Sequence, residues 1–363
     1  MSNIKQAVFI LPAINGGGAE RVVLNLYQAL EQHCNYQCHI VSLTQESEFD
    51  ITGFRVHFIE GLERISKKGF HRLSYRKNMS VLVDNYIQSK IGSNVLALSN
   101  MMFADKVMSE SKLNVYHVIH SEYGHAVLSG KSFFKRIAAK RNIEKIYNTH
   151  PLIFISEGVK KSFVDNFNCS VKKSTIYNPI NIREVHSLAN EKRVEIGEEY
   201  IIHVGRFNRV KRHDRLLEEF SKVNSNVKLL LLGGGKLEAQ IRSKIKSLQL
   251  ENRVIVLGFQ KNPYPYIKYS KGLILTSDSE GLPMVLLEAM ALGIPIATTD
   301  CSNGIREAIG HDHPGLIAMD NIQSISTVID SMLTNPEDYI TPLKMDFNSS
   351  NAANKYASLD ISK

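Results

Sequence analysis

Ser279-Glu280-Gly281-Leu282-Pro283-Met284-Val285-Leu286-Leu287-Glu288 joins two elements of different period. Before it, the apolar run Gly272 to Thr276 reads as a buried strand and Ser277-Asp278-Ser279 as a turn. Pro283 stands where a first helical turn tolerates proline, because the missing N–H would have no intrahelical partner there. The predicted helix runs through Leu286-Leu287-Glu288-Ala289-Met290 and stops near Gly293. One carboxylate, Glu280, thus ends a strand, and a second, Glu288, lies inside the helix that follows. Between them Gly281, Leu282 and Pro283 open the helix, where unpaired N–H groups and the helix dipole favour anionic oxygens. In an open parallel sheet, ligands bind at the carboxyl ends of strands. The two carboxylates can accept hydrogen bonds from neutral hydroxyls, so the set points to a ligand carrying both phosphate and sugar.

The same alternation extends in both directions. Toward the N-terminus, Ala7-Val8-Phe9-Ile10-Leu11-Pro12 is a short strand. It leads through Ala13-Ile14-Asn15-Gly16-Gly17-Gly18-Ala19-Glu20-Arg21 into a helix with Val22, Val23, Leu26 and Leu30 on one side. Strands follow at Cys38 to Leu43, Arg55 to Ile59, Val95 to Leu98, Tyr116 to Ile119, Leu152 to Ile155 and Thr175 to Tyr177. Helices separate most of them, notably Ser80 to Ser89, Phe133 to Tyr147 and Glu157 to Phe167. Pro179 and the polar stretch after it break the rhythm. A second series then starts with strand Tyr200 to Val204 and continues to a helix at Ile322 to Leu333. Repeated strand–helix units predict parallel sheets covered on both faces. The expected α/β architecture is two doubly wound Rossmann-like domains facing a central cleft. The expected division is a first domain over 1–180, a linker over 181–199 and a second domain over 200–340. Residues 341–363 form a tail that can pack back on the first domain.

No apolar run approaches the roughly 18–20 residues that span a bilayer, and the N-terminus lacks the apolar stretch of a signal peptide. The expectation is a cytoplasmic protein. Four cysteines in 363 residues make no disulfide framework, so Cys34, Cys38 and the others are expected as reduced, structural thiols. The formal charge of +8 belongs to the first half: residues 1–180 hold 22 basic and 14 acidic side chains, and the remainder 22 of each. The excess gathers in Arg64, Lys67, Lys68, Arg72, Arg76 and Lys77, and in Lys131, Lys135, Arg136, Lys140, Arg141 and Lys145. Such a face is either solvated or turned toward anionic lipid or an anionic acceptor. Nucleic acid is disfavoured, because no recognition motif accompanies the charge.

Three further groups carry chemistry. Gly16-Gly17-Gly18 does not fit the dinucleotide-binding register, but glycines there let the main chain approach a phosphate or a sugar. Arg206 and Lys211 flank the first loop of the second series, where a guanidinium fork and an ammonium can hold a diphosphate and stabilise charge on a departing phosphate oxygen. His120 ends a strand and can face a ligand, with His125 five residues on as its competitor.

Together these parts resemble the retaining, nucleotide-sugar-dependent glycosyltransferases of family 4, which have the GT-B architecture. The matching elements are Gly16-Gly17-Gly18-Ala19-Glu20-Arg21, His120, Gly205-Arg206 with Lys211, and the E-x7-E spacing of Glu280 and Glu288. Asp300-Cys301-Ser302-Asn303-Gly304 is similar to a loop of lipopolysaccharide and other surface-polysaccharide members, which often have proline where Ile305 stands here. The resemblance implies transfer of a hexose or N-acetylhexosamine from a nucleotide diphosphate sugar, UDP-linked by expectation, to a surface-glycan precursor. It implies His120, Arg206, Lys211 and Glu280 as catalytic residues, with Arg206 and Lys211 on the diphosphate and Glu280 and His120 on the transferred sugar. Gly17, Gly18, Gly281, Leu282, Pro283 and Glu288 would bind the donor, Glu288 through the ribose. No metal and no further cofactor is implied, and the leaving diphosphate would itself help to deprotonate the acceptor. A sugar-nucleotide epimerase or hydrolase of the same fold, or a non-catalytic subunit of a polysaccharide assembly complex, remains open at this point.

Overall fold

The computed structural model describes residues 4–14, 17–45, 51–65, 71–192, 194 and 196–359, without the side chains of 71–73, 125 and 126. The chain divides into two compact units, Met1–Pro179 with Asp346–Lys363, and Ile180–Met345.

In the first unit, strands β1 (Lys5–Leu11), β2 (Tyr36–Ser42), β3 (Val56–Phe58), β4 (Val95–Asn100), β5 (Val115–Ile119), β6 (Leu152–Phe154) and β7 (Lys173–Thr175) form one parallel sheet. Their order is β3-β2-β1-β4-β5-β6-β7. Its helices are α1 (Gly18–His33), α2 (His71–Lys90), α3 (Met102–Met108), α4 (Tyr123–Leu128), α5 (Phe133–Tyr147) and α6 (Glu157–Asn166). Strands β1, β2 and β4 are buried along nearly their whole length, which is why they read as continuous apolar runs rather than alternating ones. One layer of the core joins Val8, Ile10, Val41, Ala97 and Val115 of the sheet to Met79, Val83 and Ile87 of α2.

The second unit opens with α7 (Ile182–Ala189) and then alternates. In chain order it holds β8 (Tyr200–Val204), α8 (His213–Phe220), β9 (Lys228–Leu232), α9 (Glu238–Ser247), β10 (Val254–Gly258), α10 (Tyr264–Lys268) and β11 (Leu273–Leu275). There follow α11 (Met284–Ala291), β12 (Ile296–Thr299), α12 (Asn303–Ile309), β13 (Leu316–Ile317) and α13 (Ile325–Thr334). The parallel order β10-β9-β8-β11-β12-β13 makes β8 and β11 neighbours although three helices and two strands separate them in sequence. That adjacency is the topological switch point, and it sets the loops after β8 and β11 side by side at the carboxyl edge of the sheet. Helix α11 is apolar nearly all round and seven of its residues, Met284 through Met290, are buried.

The chain then returns to the first unit as α14 (Ser349–Ala357), which packs on α1 through small buried residues, Ala352 and Ala353, and Tyr356. Cys34 Sγ at the end of α1 donates to Asn354 Oδ1 at 3.4 Å, and Phe347 meets Tyr177 edge to face at 5.1 Å.

The largest departure from the sequence reading is the stretch 181–199. Far from a bare linker, it holds α7, capped by the Asn181 side chain on the Glu184 N–H and packed against α10 and α11. Strand β7 stops at Thr175, four residues before Pro179, and the polar residues after the proline form the outer face of an amphipathic helix that buries Val185 and Ala189. Likewise α2 begins at His71, well before the expected Ser80, and β7 lies at Lys173–Thr175 rather than Thr175 to Tyr177. No helix among the described residues is long and apolar enough to cross a membrane.

Candidate active site

The site is built where β8 and β11 end. After Val204 the chain turns at Gly205, whose N–H donates to Leu232 O at 2.9 Å, and Phe207 N–H donates to Gly234 O at 2.8 Å. Those bonds press the loop against the Gly233-Gly234-Gly235 turn after β9. A Cβ on Gly233 would sit 2.0 Å from Gly205 O, and its φ of +140° disfavours any side chain. The glycine turn is therefore a backing plate for the Gly205–Lys211 loop.

Asn208 caps the short 3-10 turn Arg209–Lys211 by accepting from Lys211 N–H at 3.1 Å, and Arg212 follows in the left-handed region. The loop after β11 is sewn to this turn. Asp278 N–H donates to Val210 O at 2.8 Å, and Thr276 Oγ1 donates to Lys211 O and Arg212 O at 3.1 and 3.3 Å. Thr299 Oγ1 anchors Ser277 O at 2.6 Å from the neighbouring β12.

On this frame Lys211 Nζ meets Glu280 Oε1 at 2.5 Å, and Ser277 Oγ donates to the same oxygen at 2.6 Å. The two side chains are 18% and 12% exposed. Oε2 of Glu280 takes no hydrogen bond from the described residues, so the carboxylate is held by one oxygen and offers the other. Arg206 is exposed on the same loop. Glu288 is buried within α11 and accepts from Tyr264 OH at 3.2 Å. Gly281 is partly exposed, and Leu282 and Pro283 are buried at the entrance to α11. The structure thus assembles Lys211 and Glu280 directly and places Arg206, Glu288 and the start of α11 on the same or adjoining elements.

Three features were not foreseen. Asp278 is clamped by two guanidinium groups, Arg212 at 3.2 Å and the buried Arg215 at 2.6 Å, while Arg215 also donates to Thr276 O. This clamp, rather than ligand binding, accounts for Arg212 and Asp278. Beneath the loop lies a floor of neutral rings: His203 and His213 stack edge to face with centroids 4.6 Å apart, and Phe207 meets His213 at 4.8 Å. His203 Nδ1–H donates to Ile274 O at 2.9 Å. Burial, reinforced by the neighbouring Lys211 charge, pushes His213 down to about 4 and His203 well below the ordinary imidazole range. Uncharged rings let the Lys211 ammonium sit above them without repulsion. The third feature is the turn after β12: Ile305 is fully buried in α12, while Arg306 pairs with Asp300 across the turn.

The first unit holds the remaining expected residues. Gly17 caps α1 in an extended conformation and Gly18 is its first residue; Gly16 lies outside the described residues. A Cβ on Gly18 would meet no described atom within 4 Å, so packing alone does not require glycine there. His120 follows β5 directly, and its Nε2–H donates to Asn100 Oδ1 at 2.9 Å, the orientation of the amide being set by Asn100 Nδ2 donating to Leu98 O. His120 Nδ1 is buried and has no hydrogen-bond partner among the described residues, and burial lowers the imidazole to about 4. His120 is therefore a neutral ring with a lone pair at Nδ1. His125 lies on α4, with its side chain outside the described set.

Residues 187–352 match the family model for glycosyl transferases group 1. A Campylobacter jejuni protein is 30% identical over 340 residues, covering 91% of this chain and 90% of its own length. The chain belongs to the group 1 glycosyl transferases. That relative is the N-acetylgalactosamine-N,N'-diacetylbacillosaminyl-diphospho-undecaprenol 4-alpha-N-acetylgalactosaminyltransferase. The glycosyltransferase is also 25% identical to the lipopolysaccharide 1,6-galactosyltransferase of Salmonella typhimurium, over 85% of this chain and 83% of that one. Among solved structures, Anabaena HepE in complex with UDP and glucose superposes with a TM-score of 0.72, covering 97% and 95% of the two chains at 17% identity. That likeness establishes the GT-B fold.

Proposed function

We propose that this glycosyltransferase moves a hexose or N-acetylhexosamine, with retention of configuration, from a UDP-linked donor to a lipopolysaccharide, lipooligosaccharide or other surface-glycan precursor. The observation that carries the reading is the Lys211–Glu280 pair at the carboxyl ends of β8 and β11, with one Glu280 oxygen left for a ligand. In this assignment Glu280 accepts from hydroxyls of the transferred sugar. Lys211 and Arg206 meet the diphosphate, where charge grows as the bond to the sugar breaks, so their attraction strengthens toward the transition state. Glu288 takes the ribose hydroxyls, and the start of α11 at Gly281, Leu282 and Pro283 receives donor oxygens. In the first unit, Gly17 and Gly18 approach the phosphates and His120 contacts the sugar through Nδ1. The departing phosphate accepts the acceptor's proton, and the two cations replace a metal. The acceptor class follows the names of the Campylobacter and Salmonella relatives, and UDP follows the ligand of HepE.

The enzyme is further proposed to work at the inner face of the cytoplasmic membrane, its basic first unit toward anionic lipid. A panel of UDP- and GDP-sugars with lipooligosaccharide or lipid-linked acceptors should release nucleotide only when a matched pair is present, equally with or without EDTA. An unchanged rate in Arg206→Ala or Glu280→Ala would overturn the roles given to those residues.

A further inference from the structure

Helix α5 is anchored at only one end. Ile143, Ile146 and Tyr147 in its last turns are buried, whereas residues 133–136, 138 and 140–142 are exposed. At its free end stand Phe133 and Phe134, 72% and 81% exposed, their rings packed edge to face on each other at 5.7 Å. At 100° per residue Phe133, Ile137 and Phe134 share an arc of about 100° whose centre lies opposite Ile146, with Phe133 at the edge nearer the buried Tyr147. Arg141 and Lys145 continue that arc toward the anchored end. The stretch 131–145 holds six cations, Lys131, Lys135, Arg136, Lys140, Arg141 and Lys145, against the single acid Glu144. Glu144 approaches Lys140 at 4.0 Å. Lys135, Arg136, Arg141 and Lys145 form no ion pair among the described residues.

An aromatic pair in water is unfavourable unless a partner covers it, and the surrounding cations select that partner's charge. A second copy would bring six like charges against six. Nucleic acid bases stack on rings that stand apart, and these two cover each other. An anionic bilayer satisfies both features at once, since rings enter the headgroup boundary while lysine and arginine meet the phosphates.

We propose that the N-terminal half of α5 is the element that docks this enzyme on an anionic lipid bilayer, with Phe133 and Phe134 inserted and the flanking cations on the headgroups. This deepens, and rests on, the reading of the first unit as membrane-facing.

The chain has no tryptophan, so Phe134→Trp places a single reporter at the proposed contact. With vesicles containing phosphatidylglycerol, its emission should shift to the blue and be quenched by brominated acyl chains; phosphatidylcholine vesicles should leave it unchanged. Phe133→Ser with Phe134→Ser should lower co-sedimentation about tenfold or more, without changing the melting temperature or turnover of a lipid-free acceptor. Co-sedimentation with an unshifted reporter refutes docking through α5 and spares the broader membrane reading. No co-sedimentation at all refutes both. A blue shift that grows with protein concentration in the absence of vesicles means that a second copy covers the pair, and overturns the proposal.

Discussion

Lys211→Met removes an ammonium and keeps most of the stem, and its consequences separate into two measurable parts. The first is stability. Breaking a fully buried ion pair costs roughly 3–5 kcal/mol, because one charge is left without its partner. Here both side chains retain some exposure and Ser277 Oγ still donates to Glu280, so water and one hydrogen bond soften the loss. A destabilisation of about 2 kcal/mol is expected, which in a unit of this size lowers Tm by roughly 4–8 °C. Adding Glu280→Gln removes the stranded charge and should restore most of that loss. The second part is chemistry. If Lys211 stabilises the leaving diphosphate, kcat falls by about 100- to 1000-fold, and Glu280→Gln restores none of it. Calorimetry on the parent, both single variants and the double variant reads the first part; nucleotide release at saturating donor reads the second. A double variant melting no higher than Lys211→Met would falsify the pairing argument, and a kcat within about threefold of the parent would remove Lys211 from the phosphate.

Gly233→Ala forces a Cβ onto Gly205 O and should destabilise the second unit by roughly 3–5 kcal/mol, with loss of donor binding by calorimetric titration; a normal melt and normal binding would show that the glycine turn does not back the loop. Glu288→Ala should raise the donor KM by about tenfold with a smaller effect on kcat, and should weaken inhibition by free UDP equally; unchanged UDP inhibition would exclude contact with the nucleotide. Acid should destabilise the enzyme. His213 and His39 are buried and held down to about 4, by burial first and then by Lys211 and His57 respectively, against an ordinary 6.5. The unfolded chain therefore takes up protons that the native state refuses. Stability is full above pH 6.5 and declines as pH falls toward 4, by up to about 3 kcal/mol for His213 and by less for His39, whose surroundings screen its charge better. A Tm that stays level from pH 7 to 4.5 would contradict this.

Where packing demanded long apolar runs, the fold was legible from composition and period. β8 and α11 fall where the sequence places them because a strand buried on both faces and a helix buried all round leave little else to encode. The glutamates were legible for a related reason: Glu280, between an apolar strand and an apolar helix, and Glu288, a lone charge inside that helix, have no apolar packing role to explain them. Elements with weak apolar signatures were hidden. Helix α7 carries an apolar side, Ile182, Val185, Leu188 and Ala189, but it is only eight residues long and opens a polar stretch just after Pro179; α14 relies on alanines, and the first turns of α2 are basic. The ring floor under Lys211 was hidden for another reason. A histidine at a strand centre and one at a helix start look alike whether charged and solvated or neutral and stacked, and only the three-dimensional neighbours decide between them.

The docking of α14 on α1 ties residues near opposite ends of the chain into one unit. During synthesis the first sheet is complete by Thr175, yet the partner of α1 is still unmade. At about 5–20 residues per second the ribosome needs roughly 8–35 s to pass from Pro179 to Asp346. Throughout that interval the surface of α1 that receives Ala352, Ala353 and Tyr356 stands open, while the second unit gains its strands one after another, the last at Leu316–Ile317, and can then close on itself. The unit whose sequence begins first is thus the one finished last, and an early stop after Met345 leaves a nascent product with an uncovered helix for chaperones and proteases to recognise.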